Sequence, residues 1–549
     1  MRRIFLTGLS GSGKSTVGRL LANLLGWKFV DTDELLSERS NMPVGQVLVE
    51  VGEERFRHME TEALIDAASQ ECIVIATGGG AVIAATNREF MREQGLTVYL
   101  QLPVETAWQR IQEHVRHTGA VRPLVAGADG QQRLQNLYEA RKAWYEQAAV
   151  HLNTEILTPA KVASRIVAAA LAYGYLSSPS VPREVITQHL HTSTSQAIIE
   201  WGGLHHLPLT LRSYELQPRL FIVTDSEVGA LYAQPLQEVL KDAGFVPHIF
   251  TIPAGESSKS FGCFQQIIDW LVEQKAEAKE AIIALGGGVV GDLTGFVASC
   301  YLRGVPLIQV PTTLLAQVDS AIGGKTGINH PLGKNLIGAF YQPKLIYVDP
   351  ALLLTLPERV YREGWAEIVK YAIIMDADLF SILEQNIAAW QARDAGLLTA
   401  VVGRCIRMKM EVVQRDERDS GLRNILNYGH TFGHALEAIT DYGTWLHGEA
   451  VAIGMQVASR IAVASGLLSP EEAQRQTRLL RAFGLPIRCS GVDIEAIMNA
   501  MQRDKKVRAG RTRWVLANQI GHVEVYSDID APVVRNAIVA VCSGEGEES

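Results

Sequence analysis

Ile4-Phe5-Leu6-Thr7-Gly8-Leu9-Ser10-Gly11-Ser12-Gly13-Lys14-Ser15-Thr16 runs from a short strand-like segment into a glycine loop and on into a helical pattern. The run fits G-x-x-x-x-G-K-[ST], and a strand before it with a helix after it is the context in which such a loop wraps a phosphate. Glycines let successive backbone N–H groups turn toward one anion, and the helix N-terminus adds its partial positive charge. This reading puts Gly11, Ser12, Gly13, Lys14, Ser15 and Thr16 around the phosphates of ATP. Lys14 reaches the β/γ-phosphates and the Ser15 hydroxyl ligates Mg²⁺. A glycine turn that binds nothing is the bland alternative; strand, motif and helix together weigh against it.

Outward from this loop, residues 73–76 and 97–100 look like strands and residues 15–25, 61–69 and 161–172 like helices. That rhythm predicts a parallel sheet flanked by helices. Ser177-Ser178-Pro179-Ser180-Val181-Pro182 then has linker composition. A second α/β rhythm follows, with buried-strand patterns at 220–224, 281–285 and 307–310. Beyond about residue 350 the pattern is helical apart from a strand-like 514–517. The expected class is α/β: a P-loop kinase domain over 1–174, a linker over 175–184, a Rossmann-like half over 185–345 and an all-α half over 346–549. A length of 549 residues exceeds what one hydrophobic core supports.

The net charge of −8 excludes a general attraction to nucleic acid or to an anionic membrane. Anions must be caught by local basic groups. No apolar run approaches the roughly 18 residues of a membrane span, and the apolar N-terminal stretch is too short for a signal peptide. The six cysteines are widely spaced with no C-x-x-C pair, so no disulfide framework is expected, and a reducing, cytoplasmic compartment is the default.

In the first domain, Asp31-Thr32-Asp33 follows the strand-like Lys28-Phe29-Val30. In extended backbone, residues two apart point the same way, so both carboxylates would face one site, one in the Mg²⁺ shell and the other on a substrate hydroxyl. A helix N-cap cluster is the alternative, and the better one on these residues alone. Phe56-Arg57-His58-Met59-Glu60 opens a helical stretch. Thr77-Gly78-Gly79-Gly80 permits close backbone approach to a ligand. Arg122-Pro123-Leu124 suits a lid, and Arg141 precedes Tyr145 by one helical turn. Together these resemble shikimate kinase over residues 1–174. The resemblance implies that Asp33, Arg57, Gly79, Gly80 and Arg141 hold shikimate, the two arginines on its carboxylate, and that Arg122 closes over ATP. A kinase of another small metabolite, such as gluconate, is the alternative.

The second domain carries Gly286-Gly287-Gly288-Val289-Val290-Gly291-Asp292 between a strand and a helix. It lacks the G-x-G-x-x-G spacing but can set a pyrophosphate at a helix N-terminus in the same way. Pro253-Ala254-Gly255-Glu256-Ser257-Ser258-Lys259 offers a turn with a carboxylate and an ammonium, and Asp225 and Pro311-Thr312-Thr313 lie at strand ends, where ligands bind in such sheets. Asp319, Lys325, Lys334, Asn335, Arg303 and Arg423 add anion-binding chemistry. His430 and His434 share a helical face, and Thr431 after the first histidine excludes the zincin pattern. With Glu367 and His447 these form a candidate Zn²⁺ set.

These runs, with G-x-A-E-x-x-K-Y, L-N-x-G-H-T-F-G-H-A and H-G-E-A, resemble 3-dehydroquinate synthase over roughly 185–540. The resemblance implies a Zn²⁺ or Co²⁺ ion on Glu367, His430 and His447, with His434 in substrate proton transfer. It implies NAD⁺ at Asp225, Gly255, Glu256, Lys259, Gly286, Gly287, Gly288, Val289, Gly291, Asp292, Thr312, Thr313, Lys325 and Lys334. Asp319, Lys325, Asn335, Lys370, Lys409, Arg423, Asn427 and Lys505 would line the substrate site. Arg303 would reach a neighbouring subunit's site, which implies a homodimer. The implied reaction closes a heptulosonate phosphate to 3-dehydroquinate, with loss of phosphate and a hydride lent to NAD⁺ and returned. Another sugar-phosphate cyclase and a metal-dependent polyol dehydrogenase are the alternatives. Asp419 stands where that family leads one to expect glutamate.

Overall fold

The computed structural model describes residues 2–118, 129–178, 180–191, 193–331, 333–440, 443–503 and 513–542. Arg122 and Lys505 therefore lie outside the described residues. The chain divides into two compact units, Met1–Ser177 and Ser178–Ser549.

In the first unit, β1 (Arg3–Thr7), β2 (Lys28–Asp31), β3 (Ile73–Ala76), β4 (Leu96–Gln101) and β5 (Val150–Asn153) form one parallel sheet in the order β2-β3-β1-β4-β5. Ile4, Phe5 and Leu6 of the central strand are buried without a polar interruption, as a strand covered on both faces requires. The phosphate loop leaves the carboxyl end of β1, where earlier strands lie to one side and later strands to the other. That is the switch point at which open α/β sheets bind ligands.

In the second unit, β6 (Glu184–His189) pairs antiparallel with β7 (Thr194–Ile199). The sheet continues in parallel through β14 (Leu345–Val348), β11 (Leu307–Pro311), β10 (Ala281–Gly286), β8 (Arg219–Asp225) and β9 (Val246–Ile252). β14 carries the α/β half to residue 348. A hairpin of β12 (Lys325–His330) and β13 (Gly333–Phe340) stands outside this sheet and brings Lys325 and Lys334 with it.

The C-terminal half is not purely helical. β15 (Trp514–Gln519) and β16 (His522–Tyr526) form an antiparallel hairpin. Its buried Trp514-Val515-Leu516-Ala517 run packs against the helix His447–Ala464. The helices Glu358–Met375, Ala395–Arg415 and His430–Ile439 supply the rest of the site. Cys489 and Cys542 are far apart in sequence, yet their Sγ atoms lie 3.1 Å apart and buried, because the C-terminal helix Ala531–Cys542 folds back on the loop holding Cys489. All six cysteines are free thiols. Among the described residues no helix is long and apolar enough to cross a membrane.

Two candidate active sites

In the first unit, Gly13 caps the helix Lys14–Leu25 with φ +90°, a conformation that L side chains rarely adopt. Gly8 and Gly11 have no room for a side chain: a Cβ would lie 2.8 Å from the Leu100 carbonyl oxygen and 2.7 Å from that of Ala107. Lys14 Nζ donates to the Gly8 and Leu9 carbonyls at 2.9 and 3.1 Å, so the ammonium lies back across its own loop.

The Ser15 hydroxyl donates to Asp31 Oδ2 at 2.6 Å. The strand-alternation reading of Asp31 and Asp33 fails. β2 ends at Asp31, and Asp31 Oδ1 accepts from the Asp33 N–H as the N-cap of the helix Thr32–Ser40. The short side chain of Asp31 offers its backbone a cap, and that ends the extended segment one residue too early for alternation. Asp31 nonetheless keeps its second oxygen on Ser15.

Asp33 reaches the glycine run from its helix. A Cβ on Gly78 would lie 2.6 Å from both Asp33 Oδ1 and Glu60 Oε1, and one on Gly80 would lie 2.1 Å from an Arg57 nitrogen. Arg57 pairs with buried Glu60 at 2.9 Å, while Arg141 and Tyr145 donate to the Gly79 carbonyl at 3.0 and 2.6 Å. The structure thus gathers Asp33, Arg57, Arg141 and the glycines around one point. Glu60 is an addition. It lies one helical turn after Arg57, the spacing at which helix side chains meet. Burial raises its pKa, against the lowering influence of Arg57.

In the second unit, Gly287 caps the helix Gly288–Cys300 directly after β10. Cβ atoms on Gly287, Gly288 and Gly291 would lie 3.0, 3.0 and 2.9 Å from Thr313, Ser320 and Gln309. Val289 and Asp292 lie in that helix's first turns, and the Thr312 hydroxyl is buried with no hydrogen-bond partner. Asp225 Oδ1 accepts from the N–H groups of Glu227 and Val228, so this carboxylate caps its own helix. Gly255, at φ +109°, opens the turn that presents Glu256, whose Oε1 accepts from Asn329.

Among the described residues, the lysines expected to await an anion are each paired already. Lys259 donates to Asp292 at 2.7 Å and to Asn335 at 2.5 Å. Lys325 meets Asp419 at 2.5 Å, Lys334 meets Glu437 at 3.0 Å, Lys409 meets Asp319 at 2.8 Å, and Lys370 contacts Glu367. Burying an ammonium without a counter-ion is costly; Lys259, Lys334 and Lys409 draw their carboxylates from distant segments, Lys370 finds its own one helical turn away, and Lys325 is paired although exposed. Arg423 differs. It is buried, its guanidinium donates to the carbonyls of Gly323 and Glu417, and its Nε has no partner.

Burial pulls the Lys409 ammonium down to about 8, against the opposing pull of Asp319. Asp319 is held well below the usual carboxylate range: burial would raise it, but Lys409 and Lys370 outweigh burial. Tyr371 donates to the same carboxylate at 2.9 Å. Asn427 ends the short helical turn Leu422–Asn427, just ahead of His430. Arg303 is exposed, in the turn Tyr301–Arg303, and makes no hydrogen bond or ion pair among the described residues.

Glycines also bring the histidines together. A Cβ on Gly454 would lie 1.9 Å from the Gly429 carbonyl oxygen, and one on Gly433 3.1 Å from that of Ala450. Without side chains there, the helices His430–Ile439 and His447–Ala464 pack close, and the His430 and His447 ring centroids are 5.3 Å apart. His430 Nδ1 lies 3.1 Å from the Tyr428 carbonyl oxygen and His447 Nδ1 lies 3.1 Å from Glu437 Oε2. Both partners only accept, so Nδ1 carries the proton in each ring. The two Nε2 atoms face Glu367 Oε1 at 3.5 and 3.9 Å. That oxygen is buried and accepts no hydrogen bond. His434 also brings a ring nitrogen within 4.8 Å of those of His430 and His447. Burial opposes protonation of His447, but Glu437 outweighs it and holds the imidazole at about 9; Glu437 itself is held at about 2, since His447 and Lys334 outweigh its burial.

A family model for shikimate kinase matches residues 10–171. Models for the N-terminal and C-terminal parts of 3-dehydroquinate synthase match residues 249–363 and 364–507. The 3-dehydroquinate synthase of a Synechococcus strain is 47% identical over 347 residues, which cover 62% of this chain and 94% of that protein. The chain belongs to the 3-dehydroquinate synthase family. It carries a shikimate kinase domain ahead of the synthase domain. Among solved structures it is similar to the 2-epi-5-epi-valiolone synthase of Streptomyces hygroscopicus with NAD⁺ and Zn²⁺ bound, at 29% identity and a TM-score of 0.60, over 64% of this chain and 98% of that one. It is also similar to a 2-deoxy-scyllo-inosose synthase complexed with carbaglucose-6-phosphate, NAD⁺ and Co²⁺, at 25% identity and a TM-score of 0.59, over 65% of this chain and 99% of that one.

The synthase domain holds residues that sequence reading passed over. Glu437 shares the face of His430 and His434 at i+7 and i+3, a spacing open to inspection. Tyr371 follows Lys370 and needs the fold to show its partner. Glu363 accepts from the Gly448 N–H at 3.2 Å, and burial raises its carboxyl to about 7. The donor set suits a metal: one carboxylate oxygen with no hydrogen bond and two imidazole Nε2 atoms, each ring fixed through its other nitrogen, is the pattern of a catalytic zinc site with its outer partners.

Proposed function

We propose that this chain is a bifunctional enzyme of aromatic biosynthesis. Its first unit phosphorylates shikimate with Mg²⁺·ATP, and its second converts a heptulosonate phosphate to 3-dehydroquinate with release of phosphate. The observation that carries the synthase reading is the meeting of Glu367, His430 and His447 beside the charged cluster of Asp319, Lys370, Lys409 and Arg423. A polyol dehydrogenase has no use for so many groups suited to a phosphorylated keto acid.

In the kinase unit, Lys14 would leave its loop carbonyls for the β/γ-phosphates, and Ser15 with Asp31 would hold Mg²⁺. Arg57 and Arg141 take the shikimate carboxylate, since planar guanidinium forks match that group. Asp33 accepts from the hydroxyl to be phosphorylated, and Glu60 keeps Arg57 in place.

In the synthase unit, Glu367, His430 and His447 would hold Zn²⁺ or Co²⁺. The glycine turn 286–288 would hold the NAD⁺ pyrophosphate, with Glu256, Lys259, Asp292, Thr312, Thr313 and Lys334 around the rest. When bound, the metal supplies Lewis-acid polarisation of a substrate oxygen, and NAD⁺ a temporary hydride store. His434 moves a proton at the substrate. Lys325, Asn335 and Arg423 are preorganised donors for the leaving phosphate, and Lys325 and Lys409 exchange carboxylate partners for the substrate when it enters.

Arg303, exposed and unpaired in its own unit, fits the arginine lent to a second copy, so the assembly is a homodimer. The free thiols suit the cytoplasm. Both activities assayed on one purified sample test the reading. Turnover of shikimate, together with NAD-dependent release of phosphate from the heptulosonate phosphate and no net NADH, is expected. Turnover of gluconate but not shikimate would overturn the kinase half, and stoichiometric NADH the synthase half.

A further inference from the structure

Glu437 is 3% exposed, and its two oxygens serve two different residues. Oε2 accepts from His447 Nδ1 at 3.1 Å, and Oε1 accepts from Lys334 Nζ at 3.0 Å. His447 opens the helix His447–Ala464, and Lys334 lies on β13 of the hairpin outside the main sheet. One carboxylate therefore joins a ring of the metal-binding set to a lysine of the dinucleotide-binding set. It does so from the helix that also bears His430 and His434.

A surface ion pair would carry no such meaning, but the carboxylate of this one is buried. A buried carboxylate that accepts from Nδ1–H fixes the tautomer of an imidazole, turns the ring and makes Nε2 a better donor to a cation. Lys334 is the second cationic partner of the same carboxylate, on the oxygen that His447 leaves open. No neutral residue reproduces this. An amide of the same shape has one accepting oxygen, so it can serve His447 or Lys334 but not both.

We propose that Glu437 is a positioning residue of the synthase site: it sets His447 for the metal and at the same time anchors Lys334 for NAD⁺. This rests on the reading of the second unit as a metal- and NAD-dependent synthase.

The test uses the full-length chain. Metal is removed, Zn²⁺ is returned in competition with a chromophoric chelator, and NAD⁺ affinity is titrated separately on wild type, Glu437→Gln and Lys334→Met. Glu437→Gln should hold Zn²⁺ about 10–100-fold more weakly, the usual effect of removing an outer partner of a metal-bound histidine, and should weaken NAD⁺ binding as well. Lys334→Met should weaken NAD⁺ binding and leave Zn²⁺ affinity undiminished. A purely structural ion pair would lower thermal stability in both variants without this split. Zinc held equally by wild type and Glu437→Gln overturns the inference alone. A wild-type chain that takes up no zinc overturns the synthase reading and the inference with it.

Should Glu437→Gln fail to fold, ¹⁵N spectra of the histidine rings in zinc-loaded wild type decide the matter. A proton on His447 Nδ1 and none on Nε2 is expected; the opposite tautomer refutes the role.

Discussion

His430 Nε2 lies 3.5 Å from Glu367 Oε1, an oxygen sealed from solvent with no hydrogen bond of its own. An apolar enclosure would raise the cost of such an atom to several kcal/mol, so the arrangement suits a cation between the two. His430→Ala should therefore reduce zinc affinity by more than about 100-fold, the upper figure for loss of an outer partner, and should abolish heptulosonate phosphate turnover. Shikimate phosphorylation should stay at the wild-type rate. Metal analysis with both assays on one preparation checks this.

The two metal requirements should separate. After treatment with a strong chelator and its removal, Mg²⁺ alone should restore the kinase activity. The synthase activity should return only with Zn²⁺ or Co²⁺, because its donor set is one carboxylate and two imidazoles, which Mg²⁺ binds poorly. The converse variant is Lys14→Ala, which should cut kinase turnover by about 10²–10³, as for loss of one preorganised donor, and leave phosphate release by the synthase untouched.

How far these sites are legible in the sequence depends on how local their causes are. The phosphate loop is legible because its glycines and Lys14 act within one turn of chain. The fate of Asp31 and Asp33 is not: a single cap ends β2 at Asp31, and alternation fails by one residue. Nor is the pairing of the lysines, since Asp419 and Glu437 lie far along the chain from Lys325 and Lys334 and meet them through tertiary packing. Seen as a list of cations, the sequence overstates the positive field of the site. The hairpin β15–β16 is half legible: the apolar run over 514–517 marks its first strand, whereas β16 is short and buries Val523 alone.

Lys409 should make the synthase pH-sensitive. Its ammonium, pulled down by burial to about 8, is charged below that value and neutral above it. An anionic substrate should thus bind well below pH 8 and lose affinity as pH rises through it, with KM rising at most about tenfold per pH unit for one proton. Lys409→Arg keeps its charge across this range, so its KM profile should be flat there whatever the loss in absolute affinity. KM measured from pH 6.5 to 9.5 in both proteins decides the point.

The shikimate pocket offers a steric test. A methyl group on Gly80 would lie 2.1 Å from an Arg57 nitrogen, so Gly80→Ala must push that guanidinium off Glu60 and away from the substrate carboxylate. KM for shikimate should rise by at least about tenfold, while KM for ATP stays near its wild-type value because the phosphate loop is untouched. Charge-assisted hydrogen bonds of about 1.5–3 kcal/mol set that scale.

Gly454→Ala sets two effects against each other. Alanine improves helix propensity by about 0.8–1.0 kcal/mol over glycine, and in an exposed helix it would stabilise. Here the methyl group would lie 1.9 Å from the Gly429 carbonyl oxygen, and backbone cannot yield as a flexible side chain does. Overpacking of this kind costs about 1–3 kcal/mol, so the net change should be destabilising. Parting the two helices also draws His430 away from His447, so zinc affinity should fall together with the melting temperature of the synthase unit. Gly433→Ala meets its neighbour at a looser 3.1 Å and should show the same two effects in smaller measure. Equal zinc affinity in Gly454→Ala and wild type would mean that the close approach of these helices is not what sets the histidines.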